Sequence, residues 1–181
     1  MAVVTTMRSG PFTRADLDAM PDDGRRYELV DGALLVTPAP GSRHQGMVVE
    51  LIALLHSACP PNLRVFTAPY DVTLAEDTVV QPDVLVTRRA DVQERGLFTA
   101  PALAVEVLSP STRLVDLELK RARYEQAGVA SYWVVDPVAL TLTAWRMQDG
   151  GFVLVAEVGG DETFSTTEPF PVEVSPARLV G

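Results

Sequence analysis

The chain is short of several residue types, and each shortage removes a class of protein. A single cysteine, Cys59, allows no internal disulfide and excludes a cysteine-rich zinc site. No run approaches the roughly 18 apolar residues of a membrane-spanning helix. Met1 to Arg8 lack both the basic and the long apolar regions of a secretory signal, so a cytoplasmic location with no membrane partner is expected. Positive charge is scarce too: Lys and Arg number 15 against 24 Asp and Glu, a net charge of −9. That balance opposes a broad non-specific nucleic-acid surface, which is normally basic, so such a partner must be met locally. Lysine is scarcest of all. Fourteen of the fifteen basic residues are Arg, and the only lysine is Lys120.

What remains is globular in composition, with 47% hydrophobic and 22% charged residues. At 181 residues the chain fits one domain spanning 1–181, with 1–10 as a loose leader and 159–181 as a proline-rich tail. Thr13 and Asp16 have capping-box spacing for a short helix that ends before Pro21. Arg25 to Val30 and Ala33 to Thr37 flank Asp31-Gly32, a pair suited to a type I′ turn, and form an N-terminal β-hairpin containing Glu28. After Pro38-Ala39-Pro40-Gly41, Ser42 is placed to cap a helix from Arg43 to about Ala58. Two strand-like runs follow, Arg64 to Leu74 and Val79 to Thr87, the second containing Gln81-Pro82-Asp83. Arg88 to Ala100 is polar and reads as an exposed loop or one helical turn, placed where it could border a cleft. Tyr132 to Asp136, Leu140 to Trp145 and Phe152 to Val158 are further strands. Strands interleaved with two longer helices predict an α/β or α+β fold with one mixed central β-sheet flanked by helices.

The chemistry centres on residues 101–136. In Ala102 to Leu108 a carboxylate, Glu106, interrupts an apolar run of the kind covered on both faces. A buried charge without a partner is costly, so Glu106 needs a cation. A structural salt bridge to Arg113 or Arg121 would serve as well as a site role. Ser109-Pro110-Ser111-Thr112 ends the strand and offers hydroxyl caps for a helix carrying Asp116, Lys120 and Tyr124 on one face. On spacing alone Asp116 and Lys120 also read as a surface i, i+4 ion pair. Asp83 and Glu106 together supply two hard oxygen donors suited to Mg2+ or Mn2+, and Lys120 supplies an ammonium to stabilise developing negative charge. Phosphodiester hydrolysis is the chemistry such a set performs.

Arg26-Tyr27-Glu28-Leu29-Val30-Asp31-Gly32, His44 at a helix start, Gln81-Pro82-Asp83-Val84, Val105 to Thr112, Asp116, Lys120, Tyr124 and Tyr132 to Asp136 recur in family order. The chain thereby resembles the PD-(D/E)xK nuclease superfamily and, within it, the Uma-two family of restriction-endonuclease-like proteins. That resemblance implies an αβββαβ restriction-endonuclease-like core. Asp83 and Glu106 would bind the metal, Lys120 would supply the lysine, and Glu28 would act as an auxiliary acid. It also implies a metal-dependent endonuclease acting on DNA, with a homodimer by analogy. One departure stands out. Two positions after Glu106, on the same strand face, the superfamily's usual lysine is replaced by Leu108, so Lys120 must reach that face from the helix.

His44, Arg113 and Tyr124 are candidate substrate-binding residues, although His44 could equally cap its helix and Tyr124 could equally be packing. Arg88, Arg89, Arg95, Arg113, Arg121 and Arg123 are the candidates for a local phosphate-facing patch. A second functional class stays open: a catalytically weak or inactive nuclease-fold interaction module of a mobile-element or defence system.

Overall fold

The computed structural model of the protein describes residues 3–4, 11–109 and 113–180. Most of the expected leader and the Pro110-Ser111-Thr112 helix cap lie outside the described residues. Within the leader, Val3–Val4 forms a short strand β1. Helix α1 (Arg14–Asp18) opens on the foreseen reciprocal cap, with the Thr13 hydroxyl and backbone N–H both donating to Asp16 Oδ2 at 2.9 and 3.0 Å. Strands β2 (Arg26–Val30) and β3 (Ala33–Thr37) form the hairpin. Asp31 and Gly32 turn it with φ of 54° and 72°, the positive values a type I′ turn requires. Helix α2 (Ser42–Ala58) buries Met47, Val48, Leu51 and Leu55, and Gly41 rather than Ser42 is its cap residue.

The two long runs foreseen after α2 are four strands: β4 (Leu63–Thr67), β5 (Val72–Ala75), β6 (Thr78–Val80) and β7 (Val84–Arg88). The physical reason is proline. Pro69 and Pro82 sit at the two breaks, where neither offers an N–H to a ladder. At each break the chain leaves one sheet for another, since β4 and β7 pair together while β5 and β6 join the hairpin sheet. After β8 (Leu103–Val107) comes a π-helical stretch, Val115–Lys120, continued by α3 (Arg121–Gln126). Then follow β9 (Ser131–Asp136), β10 (Thr141–Gln148) and β11 (Gly151–Gly159). The segment read as a proline-rich tail carries β12 (Phe164–Thr166) and β13 (Val172–Val174), which pair with each other. Phe164, Phe170, Val172, Val174 and Leu179 belong to the core, so apolar content overrode the prolines there.

The main sheet runs β11-β10-β9-β8-β7-β4 and is mixed, with β8 and β9 parallel and the other pairs antiparallel. The smaller sheet runs β1-β3-β2-β6-β5. Taking α2, β4, β7, β8, α3 and β9 in order yields the αβββαβ core, with the β5-β6 hairpin inserted between β4 and β7. Strand alternation separates the main sheet's two faces. Val84, Val86, Leu103, Val105, Val107 and Trp133 pack with α2 on one side. Leu85, Ala104, Leu108, Tyr132 and Val134 pack with Tyr124 of α3 on the other. The Tyr132 hydroxyl donates to the Asp116 backbone carbonyl at 2.8 Å, fastening the π-helical turn to that second face.

Gly32 has a second constraint besides its φ, because a Cβ there would collide with Pro11. Gly32→Ala is expected to destabilise the protein by about 1–3 kcal/mol, measured by denaturant unfolding. An unchanged midpoint would show that the hairpin tolerates the side chain.

Candidate active site

Alternation along β8 sends Glu106 to the face covered by the π-helical stretch and α3, together with Ala104 and Leu108. Asp83 comes from the chain immediately before β7. The β7-β8 register pairs Val84 with Val105, and one further step places Asp83 beside Glu106 on that same face. The Val107 N–H donates to Asp83 Oδ2 at 2.8 Å and locks the step. Asp83's own carbonyl accepts from the Thr67 hydroxyl at 3.0 Å, which ties its backbone to the end of β4. From the smaller sheet, β2 directs Glu28 toward the same point, where Glu28 Oε1 accepts the Gln81 N–H at 2.7 Å.

Lys120 joins these elements. Its Nζ lies 2.9 Å from Glu28 Oε1, 3.1 Å from Glu106 Oε1 and 3.5 Å from Asp116 Oδ1. The Asp116–Lys120 pair is therefore buried, and the surface-pair alternative is ruled out. Leu108 is core, and Lys120 contacts Glu106 from the helix side. Glu106 Oε1 also accepts the Tyr124 hydroxyl at 2.8 Å, so the structural alternative of a bridge to Arg113 or Arg121 falls away.

A cleft of about 600 Å³ exposes one side of this cluster, and Glu28, Asp83, Glu106, Asp116 and Lys120 all line it. His44, in the first turns of α2, reaches Asp83 Oδ2 with Nε2 at 3.1 Å. Of the three candidate substrate binders, His44 is thus at the cleft and Tyr124 lies behind it. Arg113 is not there, because it pairs with Asp136. None of the six arginines lines the cleft; Arg88 is paired with Asp91 and Arg123 with Asp31. The Arg88 to Ala100 loop does not border the cleft.

Arg26 escaped the sequence reading. Its Nη1 donates to Asp83 Oδ1 at 2.9 Å, and its Nη2 lies 3.4 Å from Glu28 Oε1. The available signal was spacing, since Arg26 precedes Glu28 by two on a strand and shares its face.

The charges are unequal. Four carboxylates, Glu28, Asp83, Glu106 and Asp116, face two fixed cations, Arg26 and Lys120. Burial opposes the charged form of Asp83, but the His44 hydrogen bond, Arg26 and the Val107 amide hold its pKa down at about 2. Burial likewise opposes Glu28, and Arg26 and Lys120 keep it low. For Glu106 burial wins: with Asp116 and Asp83 adding repulsion, its pKa is pushed up to about 8 despite Lys120. Lys120 itself is raised, because Glu106, Glu28 and Asp116 outweigh the cost of burial.

Asp83 and Glu106 are neighbouring oxygen donors of the kind a divalent cation takes, with Asp83 Oδ1 held by Arg26 and Oδ2 by His44 and the Val107 amide. Among the described residues no three His, Cys, Asp or Glu side chains form a ready cage. Magnesium needs none, since it retains several waters and takes only one or two carboxylates from a protein.

An αβββαβ core with a mixed sheet, and a lysine and carboxylates gathered in one cleft beside it, define a restriction-endonuclease-like fold. The sequence profile of the Uma2 family, described as "Putative restriction endonuclease", matches residues 14–179, and the chain belongs to that family. Among solved structures it is similar to a "putative nuclease belonging to DUF820" from Anabaena variabilis ATCC 29413. The TM-score is 0.77 at 20% sequence identity, covering 94% of this chain and 98% of that one, a likeness of fold. No curated protein matches the chain. Among the described residues no helix is long and apolar enough to cross a membrane.

The two shifted carboxyls act on stability with opposite signs. Asp83, with a folded pKa below its unfolded value, adds stability that is present above pH ~4 and lost as pH falls toward about 2. Glu106 subtracts stability as pH rises from its ordinary value of 4.5 through about 8. Glu106→Gln is therefore expected to raise Tm near pH 8 by about 2–4 °C or more and to leave it almost unchanged at pH 4.5. Calorimetry at both pH values checks this, and an equal effect at both would exclude a raised pKa.

Proposed function

We propose that this protein is a divalent-metal-dependent endonuclease that hydrolyses DNA phosphodiester bonds, with Asp83 and Glu106 holding Mg2+ or Mn2+. The observation that carries the reading is the buried Lys120 ammonium, held 3.1 Å from Glu106 in the cleft that also contains Asp83. When bound, the ion would neutralise phosphate charge and lower the pKa of a coordinated water. The chain's own groups supply the rest. Lys120 keeps its proton, so it acts as a fixed positive charge for the oxygens that become more negative in the transition state, not as a base. Glu28, itself anchored by the Gln81 amide, sets the height of that ammonium. Tyr124 orients Glu106 from behind, and His44 and Arg26 orient Asp83 from its two sides.

The reading is tested with plasmid and oligonucleotide DNA in magnesium. Lys120→Met and Glu106→Gln are each expected to lower the cleavage rate by about 10²–10³, the effect of removing a preorganised electrostatic group. Circular dichroism must first show both variants folded, because Lys120→Met leaves buried carboxylates without their cation. Residual activity equal in wild type and Glu106→Gln rejects the catalytic role. A folded wild type with no cleavage at all leaves the nuclease-fold interaction module as the function.

A further inference from the structure

The candidate catalytic groups are hard to reach. Side-chain exposure is 2% for Glu28, 5% for Asp83, 2% for Glu106 and 3% for Lys120. They form the floor of the cleft, while Pro38, Pro40, Thr67 and Pro69 stand exposed at its lip. A DNA duplex is stiff over about 150 base pairs and carries its phosphates on a convex rod. To lower one of them to such a floor, the strand must leave the stack, at a cost of a few kcal/mol that an unpaired strand avoids.

Charge points the same way. Affinity for duplex DNA grows with the number of phosphates neutralised. Among the described residues the cleft is lined by three fixed cations, Arg25, Arg26 and Lys120, and each is already paired with a carboxylate. No basic track continues outward through the six arginines, which lie elsewhere. This is charge for one or two phosphates.

A third observation concerns hydrogen bonding. Among the described residues, four buried side-chain polar atoms without a hydrogen-bond partner sit on residues that line this cleft: Arg26 Nε, Thr37 Oγ1, His44 Nδ1 and Gln81 Oε1. Buried polar atoms are nearly always paired, so a concentration of exceptions in one cleft indicates a missing polar partner. The set mixes a donor, an acceptor, a hydroxyl that does both and an imidazole nitrogen. Phosphate oxygens only accept, whereas a nucleobase edge offers donors and acceptors together. The exposed proline rings at the lip supply apolar faces for the base itself.

We propose that the cleft takes one unpaired nucleotide, so that the substrate is single-stranded DNA, or a single-stranded stretch, and not an intact duplex. This rests on the nuclease reading for its chemistry, and its test is kept separate from cleavage. Binding is measured by fluorescence anisotropy with a labelled oligothymidylate and with the same strand annealed to oligoadenylate, with calcium replacing magnesium. The single strand is expected to bind at least about tenfold more tightly, because the duplex must first be unstacked. Thr37→Val, which exchanges the unpartnered hydroxyl for a methyl of the same shape, should weaken single-strand binding about two- to tenfold while leaving Tm unchanged or higher.

Duplex binding that is equal or tighter overturns the proposal, as does the absence of binding by either probe. So does a Thr37→Val protein of lower Tm and unchanged affinity, since its hydroxyl is then structural. A protein that cuts duplex and single strand at equal rates keeps its nuclease function and loses this inference. One that prefers the single strand in calcium yet cuts nothing in magnesium keeps this inference and loses the catalytic reading.

Discussion

An ammonium removed from water needs anionic partners, and Lys120 has three, each from a different element. Glu28 comes from the smaller sheet, Glu106 from the main sheet and Asp116 from the π-helical turn that carries the lysine itself. One charge thus clips two sheets and a helix together at the point where the cleft opens. Removing the lysine would leave its carboxylates buried and uncompensated, which costs more than the intact cluster gains over an apolar one. The cluster is better understood as a device for holding a cation at a defined place than as a source of stability.

The same constraint explains why the cluster is over-supplied with acid. Three carboxylates around one lysine, plus Asp83 alongside, are more than Lys120 and Arg26 balance, and the repulsion from Asp116 and Asp83 adds to burial, the larger cause, in raising the pKa of Glu106. Asp83 escapes that fate because His44, Arg26 and the Val107 amide surround it. Neighbouring carboxylates are thereby driven to opposite ends of the carboxyl range by their environments. Such divergence is common where acidic groups are arranged for chemistry.

Backbone topology delivers these groups. At Pro82 the chain passes from β6 of the smaller sheet to β7 of the main sheet, and the two residues flanking the proline both serve the site. Gln81 gives its N–H to Glu28, and Asp83 offers its carboxylate beside Glu106. The sheet change is therefore what brings the hairpin acid and the core acids within reach of one lysine. Tyr132 completes the frame from the main sheet by holding the carbonyl of Asp116, which keeps the π-helical turn over Glu106.

Local patterns in the sequence determined a good deal. Asp31-Gly32 dictated the hairpin turn, Thr13 and Asp16 their reciprocal cap, and the apolar run around Glu106 a strand whose single charge had to be answered. The solitary lysine, four residues after Asp116, marked where the answer would come from. These features were legible because each depends on neighbours a few residues away. Only tertiary structure decided the rest. The strand runs were cut in two because the prolines fell where the chain changes sheets. The supposed tail joined the core because its aromatic and branched residues found an apolar face to cover. Arg113, Arg88 and Arg123 were taken by Asp136, Asp91 and Asp31, because an arginine pairs with whatever carboxylate folding brings near. Arg26 entered the site for the same reason, its carboxylate partner Asp83 lying 57 residues away in sequence. Charge pairing acts through space, so a sequence shows which residues need partners, while the fold alone chooses them.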